Sequence, residues 1–143
     1  MKLEFKNVTK QYGEVNAVNK VNCVMEKGIY GLLGVNGAGK TTLMRMLCTI
    51  VQPSEGQILW NGKDIWKLGG KYREVLGYLP QDFGYYPDLT VYDYMMYISS
   101  IKGLKMPFAR KKVKQLLNQV GMEKFSKRKM KNLSGGMVRR VGI

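Results

Sequence analysis

Gly34-Val35-Asn36-Gly37-Ala38-Gly39-Lys40-Thr41 reads G-x-x-x-x-G-K-T, the spacing of a loop that holds phosphate. The apolar run Ile29-Tyr30-Gly31-Leu32-Leu33 stands just before it and predicts a buried strand. Residues 42–50 follow and predict a helix with Leu43, Leu47 and Ile50 on one face. Strand, glycine-rich turn and helix are the context this spacing requires. The glycines let backbone N–H groups turn inward and let a phosphate approach with no Cβ in the way. The helix start adds donors without intrahelical partners and a positive dipole end. Lys40 is placed to reach the outer phosphates of a nucleotide, and the Thr41 hydroxyl to ligate Mg²⁺.

On the amino-terminal side, Leu3-Glu4-Phe5 alternates and starts a strand that Val8 continues; Lys10-Gln11-Tyr12-Gly13 predicts a turn. Residues 15–25 predict a second strand, antiparallel to the first. On the other side, Pro53-Ser54-Glu55-Gly56 predicts a turn and Gln57-Ile58-Leu59-Trp60 a short strand ended by the hairpin signal Asn61-Gly62. Neither Asn61-Gly62-Lys63-Asp64 nor Asn19-Lys20-Val21-Asn22 spells N-K-x-D, which counts against guanine recognition. Val75-Leu76-Gly77-Tyr78-Leu79 predicts another buried strand, stopped by Pro80. Residues 81–89 form an aromatic-rich loop. Thr90 and Asp93 make a capping box that opens a helix with Val91, Tyr94, Met95, Ile98 and Ile101 on one face. Gly103 ends it. Pro107 starts the next helix, whose core face is Ala109, Val113, Leu116, Leu117 and Val120 and whose cap is Gly121. Arg110, Lys111, Lys112 and Lys114 lie on its other side. Ser134 is the expected N-cap of a last helix.

The 143 residues fit one domain, and 45% hydrophobic content is ordinary for a packed protein. Met1-Lys2-Leu3-Glu4-Phe5-Lys6 lacks the apolar region of a signal peptide, and no apolar run approaches the ~18 residues needed to cross a bilayer. Cys23 and Cys48 fall in a predicted strand and a predicted helix and read as small apolar residues in a reducing compartment. Together these features point to the cytosol. The net charge of +14 is lopsided: residues 102–143 hold 13 basic residues and one acidic residue. There is no histidine, which removes the commonest general base.

Leu133-Ser134-Gly135-Gly136 resembles the signature motif of the ATP-binding cassette (ABC) proteins. With the phosphate loop upstream and Gln81 after a predicted strand, where that family has its Q-loop glutamine, the resemblance covers the whole chain. The run from Gly34 to Leu43 and residues 133–143 look most like transporter ATPase subunits of bacterial export type. The resemblance implies an α/β fold, with an antiparallel β part and phosphate-loop core (1–86), a helical subdomain (87–132) and the signature with the start of its helix (133–143). It implies ATP and Mg²⁺ as cofactors. Gly34, Val35, Asn36, Gly37, Ala38, Gly39, Lys40, Thr41 and Thr42 would cradle the phosphates, and Tyr12 would stack on the adenine. Lys40 would stabilise charge on the transferring phosphoryl group. Thr41 and Gln81 would stand on the Mg²⁺ side, Gln81 also positioning water and sensing a permease. Ser134, Gly135 and Gly136 would meet the γ-phosphate held by a second subunit packed head to tail. An integral membrane permease is the further partner implied, with Phe83, Tyr85, Tyr86 and Pro87 expected in its docking groove.

The departures carry as much weight. The family follows its signature with an apolar strand ending in Asp-Glu and, later, a switch histidine. Neither is present among these residues. The expectation is therefore the amino-terminal part of such a domain, ending after the signature and unable to hydrolyse ATP by itself. The basic face around Arg110 is expected near anionic lipid on the inner side of a membrane. The rival reading, in which the basic part holds nucleic acid or a ribosome, is not favoured, because no heptads run over several turns. An inactive remnant is the third reading.

Overall fold

β1 (Leu3–Tyr12) and β2 (Val15–Met25) form a long antiparallel hairpin in this computed structural model, which describes residues 1–143. β1 runs through the expected turn at Lys10 and Gln11 as far as Tyr12, which stands opposite Val15. On its other edge β1 pairs with β3 (Glu55–Trp60), and β3 pairs with the two-residue β4 (Lys63–Asp64). The sheet order is β2-β1-β3-β4, antiparallel throughout. Asn61 and Gly62, both at positive φ, make the tight β3–β4 turn as the hairpin signal predicts.

α1 (Lys40–Leu47) opens directly after the phosphate loop. It is shorter than the sequence suggests. Thr49 adopts φ +55 and breaks the helix, so Ile50 is exposed while Met46 and Cys48 turn inward. Two one-turn helices, α2 (Ile65–Leu68) and α3 (Gly70–Arg73), follow β4; neither is long enough to show a periodicity in the sequence. The Asp64 carboxylate caps α2 by accepting from the Trp66 N–H at 2.7 Å. Phe5, Val8, Val18, Met46, Ile58, Ile65 and Tyr72 form the core beneath the sheet. The Tyr72 hydroxyl donates to the Leu47 carbonyl at 3.0 Å. Burial, then the neighbouring Cys48, pushes the Tyr72 phenol up to about 12.

The two buried strands expected at 29–33 and 75–79 do not form. A strand that is apolar on both sides needs flanking strands and a covered layer on each face. The sheet is antiparallel, and neither run pairs with it. Ile29 and Leu33 are accordingly 104% and 91% exposed. The Tyr30 hydroxyl instead accepts from the Glu26 N–H at 2.9 Å.

The chain divides into two units, Met1–Tyr78 and Leu79–Ile143. In the second unit Thr90 caps α4 (Val91–Ile101), its hydroxyl accepting from the Asp93 N–H. α5 (Met106–Gln119) packs against α4. Each helix closes with a pair of hydrogen bonds at a glycine: Gly103 and Leu104 donate to Ser100 and Ser99, and Gly121 and Met122 to Asn118 and Leu117. Val91, Tyr94, Val113, Leu117, Met122, Met130 and Val141 form a second core. Ile101, expected on the core face of α4, is its last residue and is exposed. The last helix, α6 (Gly135–Gly142), starts at Ser134.

Candidate functional site

The first unit carries the phosphate loop. Gly39 sits at the N-cap of α1 with φ +80 and offers no side-chain acceptor. The first N–H groups of α1 therefore have no partner from the cap, and no acidic residue stands in the first turn. An open helix start of this kind suits an anion. The Lys40 ammonium folds back over the loop, donating to the Gly34 and Val35 carbonyls at 2.7 Å each. It is thus held at the loop mouth beside the open amides. A Cβ added at Gly34 would press on the Ala38 Cβ at 3.3 Å and lie 3.9 Å from the Lys40 ammonium. A Cβ at Gly39 would overlap the Ala17 carbonyl of β2. The loop is therefore seated against the sheet by a contact only glycine permits.

A cleft of about 500 Å³ runs beside the loop, lined by Ala17, Val18, Leu33, Gly37, Gly39 and Lys40 among others. Thr41 is exposed and Thr42 half-buried on the first turn of α1. Tyr12 lies at the far end of β1, 48% exposed and outside the cleft's lining. The Lys10 ammonium sits 5.1 Å from its ring centroid. That contact was missed from sequence, although residues two apart on one strand share a face.

The second unit brings Gln81, Gly135 and Gly136 around one cavity of about 590 Å³, with Asp82, Phe83 and Tyr85. The Ser134 hydroxyl caps α6, accepting from the Met137 N–H at 3.4 Å. Phe83 is half-buried, with Gly142 close beside its ring. Tyr86 is exposed and meets Tyr97 edge to face, with centroids 5.1 Å apart and hydroxyls 3.3 Å apart. Beside them lies an apolar hollow of about 360 Å³ lined by Tyr86, Pro87, Asp88, Leu89 and Tyr97. The Asp88 carboxylate accepts from Lys131 at 2.7 Å and lies 3.7 Å from Lys129. The hydrogen bond and charge of Lys131 hold Asp88 below the usual carboxylate range. Burial raises the Cys23 and Cys48 thiols, which suits packing rather than reactivity.

The donors suit a nucleotide with its ion. Mg²⁺ keeps waters and takes phosphate oxygens, so few protein oxygens are needed. The Thr41 hydroxyl in the first unit and the Gln81 amide in the second are each oxygen groups of a kind that Mg²⁺ accepts. No cluster of three His, Cys, Asp or Glu side chains is arranged to hold a metal by itself. No helix is long and apolar enough to cross a membrane.

Comparison with known proteins agrees with this geometry. The family model described as "ABC transporter" matches residues 18–143. The linearmycin resistance ATP-binding protein LnrL of Bacillus subtilis is 35% identical over 99% of this chain and 46% of its own length. The methionine import ATP-binding protein MetN 3 of Oceanobacillus iheyensis is 37% identical over 99% of this chain and 44% of its own. The solved structure of cbiO1 from Clostridium perfringens superposes with a TM-score of 0.80 at 28% identity, covering 98% of this chain and 58% of that one. The chain spans less than half the length of these two curated relatives. An antiparallel sheet, a phosphate loop opening α1 and a Ser-Gly-Gly helix start thus occur together in a chain that belongs to the ABC transporter family of ATP-binding proteins.

Proposed function

We propose that the chain is the nucleotide-binding part of an ABC transporter ATP-binding subunit, which couples ATP binding and hydrolysis to transport through a separate membrane permease. One observation carries this reading: the Lys40 ammonium held over a glycine loop whose helix-start amides are open. ATP with Mg²⁺ would supply the phosphoryl group. Residues 34–42 hold the phosphates through backbone N–H groups, and Lys40 offsets their charge. Thr41 and Gln81 offer oxygen to the ion, and Gln81 orients water. Tyr12 offers its ring to the adenine once Lys10 yields it. Ser134, Gly135 and Gly136 present a capped helix start to the nucleotide of a second, head-to-tail subunit.

The hollow at Tyr86 and the exposed Tyr85 and Pro87 serve as the permease docking groove in this reading. Phe83 is a packing residue of that loop. The subunit works in the cytoplasm, at the inner face of the membrane. Named relatives serve both resistance and import, and the sequence from Gly34 to Leu43 favours export. The 143 residues alone do not hydrolyse ATP. Asp88 is engaged by lysine, and Asp82 lies in a loop beside Gln81.

The test is MgATP binding by equilibrium dialysis, comparing the chain with its Lys40→Ala variant. Losing a charge-assisted contact to phosphate is expected to weaken binding by roughly 100-fold. Equal affinities would remove the loop as the phosphate site.

A further inference from the structure

The loop after Gln81 and the segment leading into α6 are joined along their length. The Val91 and Tyr92 N–H groups donate to the Arg128 and Ser126 carbonyls at 3.0 and 2.9 Å. The Met130 and Lys131 N–H groups donate back to the Leu89 and Pro87 carbonyls at 2.9 and 3.0 Å. Thr90 stands opposite Lys129 in this short antiparallel strip. Asp88 lies at the end nearest α6, and it is the only carboxylate paired with either Lys129 or Lys131.

From Lys131 the chain passes through one 3-10 turn, Met130–Asn132, and reaches the Ser134 cap. In the other direction, Gln81 lines the same cavity as Gly135 and Gly136. The same loop also meets the far end of α6, where Phe83 and Leu79 crowd Gly142. One loop therefore packs against α6 at Gly142 and is ion-paired with the segment that leads into it.

We propose that Asp88 is a positioning residue for the Ser134–Gly136 helix start: by holding Lys131 it transmits movement of the loop after Gln81 to the start of α6. What those two ends bind rests on the function proposed above; the mechanical link does not. Buried Val91 and Met130 fix the register in the middle of the strip, and the side-chain pair pins its exposed end next to the Ser134 cap. The local charge argues the same way. Lys127, Arg128, Lys129 and Lys131 crowd one segment, and without Asp88 their repulsion acts on the residues just before the cap. The loop's other fastenings, Tyr94 Oη to the Gly84 carbonyl at 3.4 Å and the Tyr86–Tyr97 pair, tie it to α4 instead. Asp88 is thus the side chain through which the loop grips the entry of α6.

Hydrogen exchange of the chain tests this, read at the Met137 N–H that Ser134 caps and at the Lys131 N–H. Asp88→Asn is expected to speed exchange at both about threefold, the size an exposed pair allows. Val113 and Leu117 in the core of the second unit should not change. Asp88→Glu should restore protection, and so should the charge exchange Asp88→Lys with Lys131→Asp. Tyr86→Ala, which loosens the loop, should speed Met137 exchange in the parent but add nothing in the Asp88→Asn background. An unchanged Met137 rate in Asp88→Asn overturns the proposal. So do additive effects of Tyr86→Ala and Asp88→Asn. Neither result bears on whether MgATP binding depends on Lys40, so the two readings fail separately.

Discussion

Replacing Gly39 by alanine tests whether the loop is seated as the geometry demands. Gly39 holds φ +80, where an L-residue costs about 1–2 kcal/mol. The new Cβ would also overlap the Ala17 carbonyl and press on Val18 Cγ2 at 3.2 Å. The first is backbone of β2 and cannot swing aside, so the loop or the strand must shift, at about 1–3 kcal/mol for overpacking. The sum is about 3 kcal/mol, against roughly 5–15 for a whole domain. At a urea slope of about 2 kcal/mol/M the unfolding midpoint falls by about 1.5 M. Urea unfolding followed by far-ultraviolet circular dichroism reads this directly. MgATP affinity should fall as well, because a displaced loop no longer aims its amides together. Gly37→Ala is the control. It has φ +85 and nothing within 4 Å of the added Cβ, so it should lose only the backbone part. If Gly39→Ala and Gly37→Ala unfold at the same urea concentration, the contact with Ala17 does not hold the loop, and the argument fails.

The parts of this fold legible in the sequence are those set by neighbours a few residues away. Thr90 and Ser134 cap helices because a hydroxyl reaches the N–H three residues on. Asn61 and Gly62 turn because both tolerate positive φ. The glycine loop and its lysine follow from spacing alone. Runs 29–33 and 75–79 misled for the opposite reason. Their composition records a need for partner strands, and a run of apolar residues does not carry its own ladder. α2 and α3 were hidden because four residues give no periodicity. The meeting of Asp88 with Lys131 joins residues 43 apart and depends on the strip between them, which no local pattern encodes.

The remaining expectations concern partners and chemistry. Arg110, Lys111 and Lys114 are exposed on α5 and Lys112 half-buried, so the chain should float with anionic liposomes at low salt and be released at high salt, each charge contributing about 1 kcal/mol. Salt-independent flotation, or tight duplex binding at physiological salt, would count against the lipid reading. A photo-cross-linker at Tyr86, 53% exposed beside its hollow, should capture the permease in an assembled complex, and an empty result there would move the docking surface elsewhere. The chain alone should release no phosphate from MgATP. Phosphoryl transfer to water needs charge stabilisation, an ion and a group that orients the water. In the function proposed here Lys40, Thr41 and Gln81 would offer the first two and part of the third, but the carboxylates nearest Gln81 are unsuited to act as base. The Asp88 carboxylate is held below its ordinary range by Lys131 and so is a weaker base than a free aspartate, and Asp82 lies in an irregular loop with no residue fixing its orientation. Phosphate release that persists in a single monodisperse species and disappears in Lys40→Ala would show that some group here performs that role, and Asp82→Asn would then be the variant to make next.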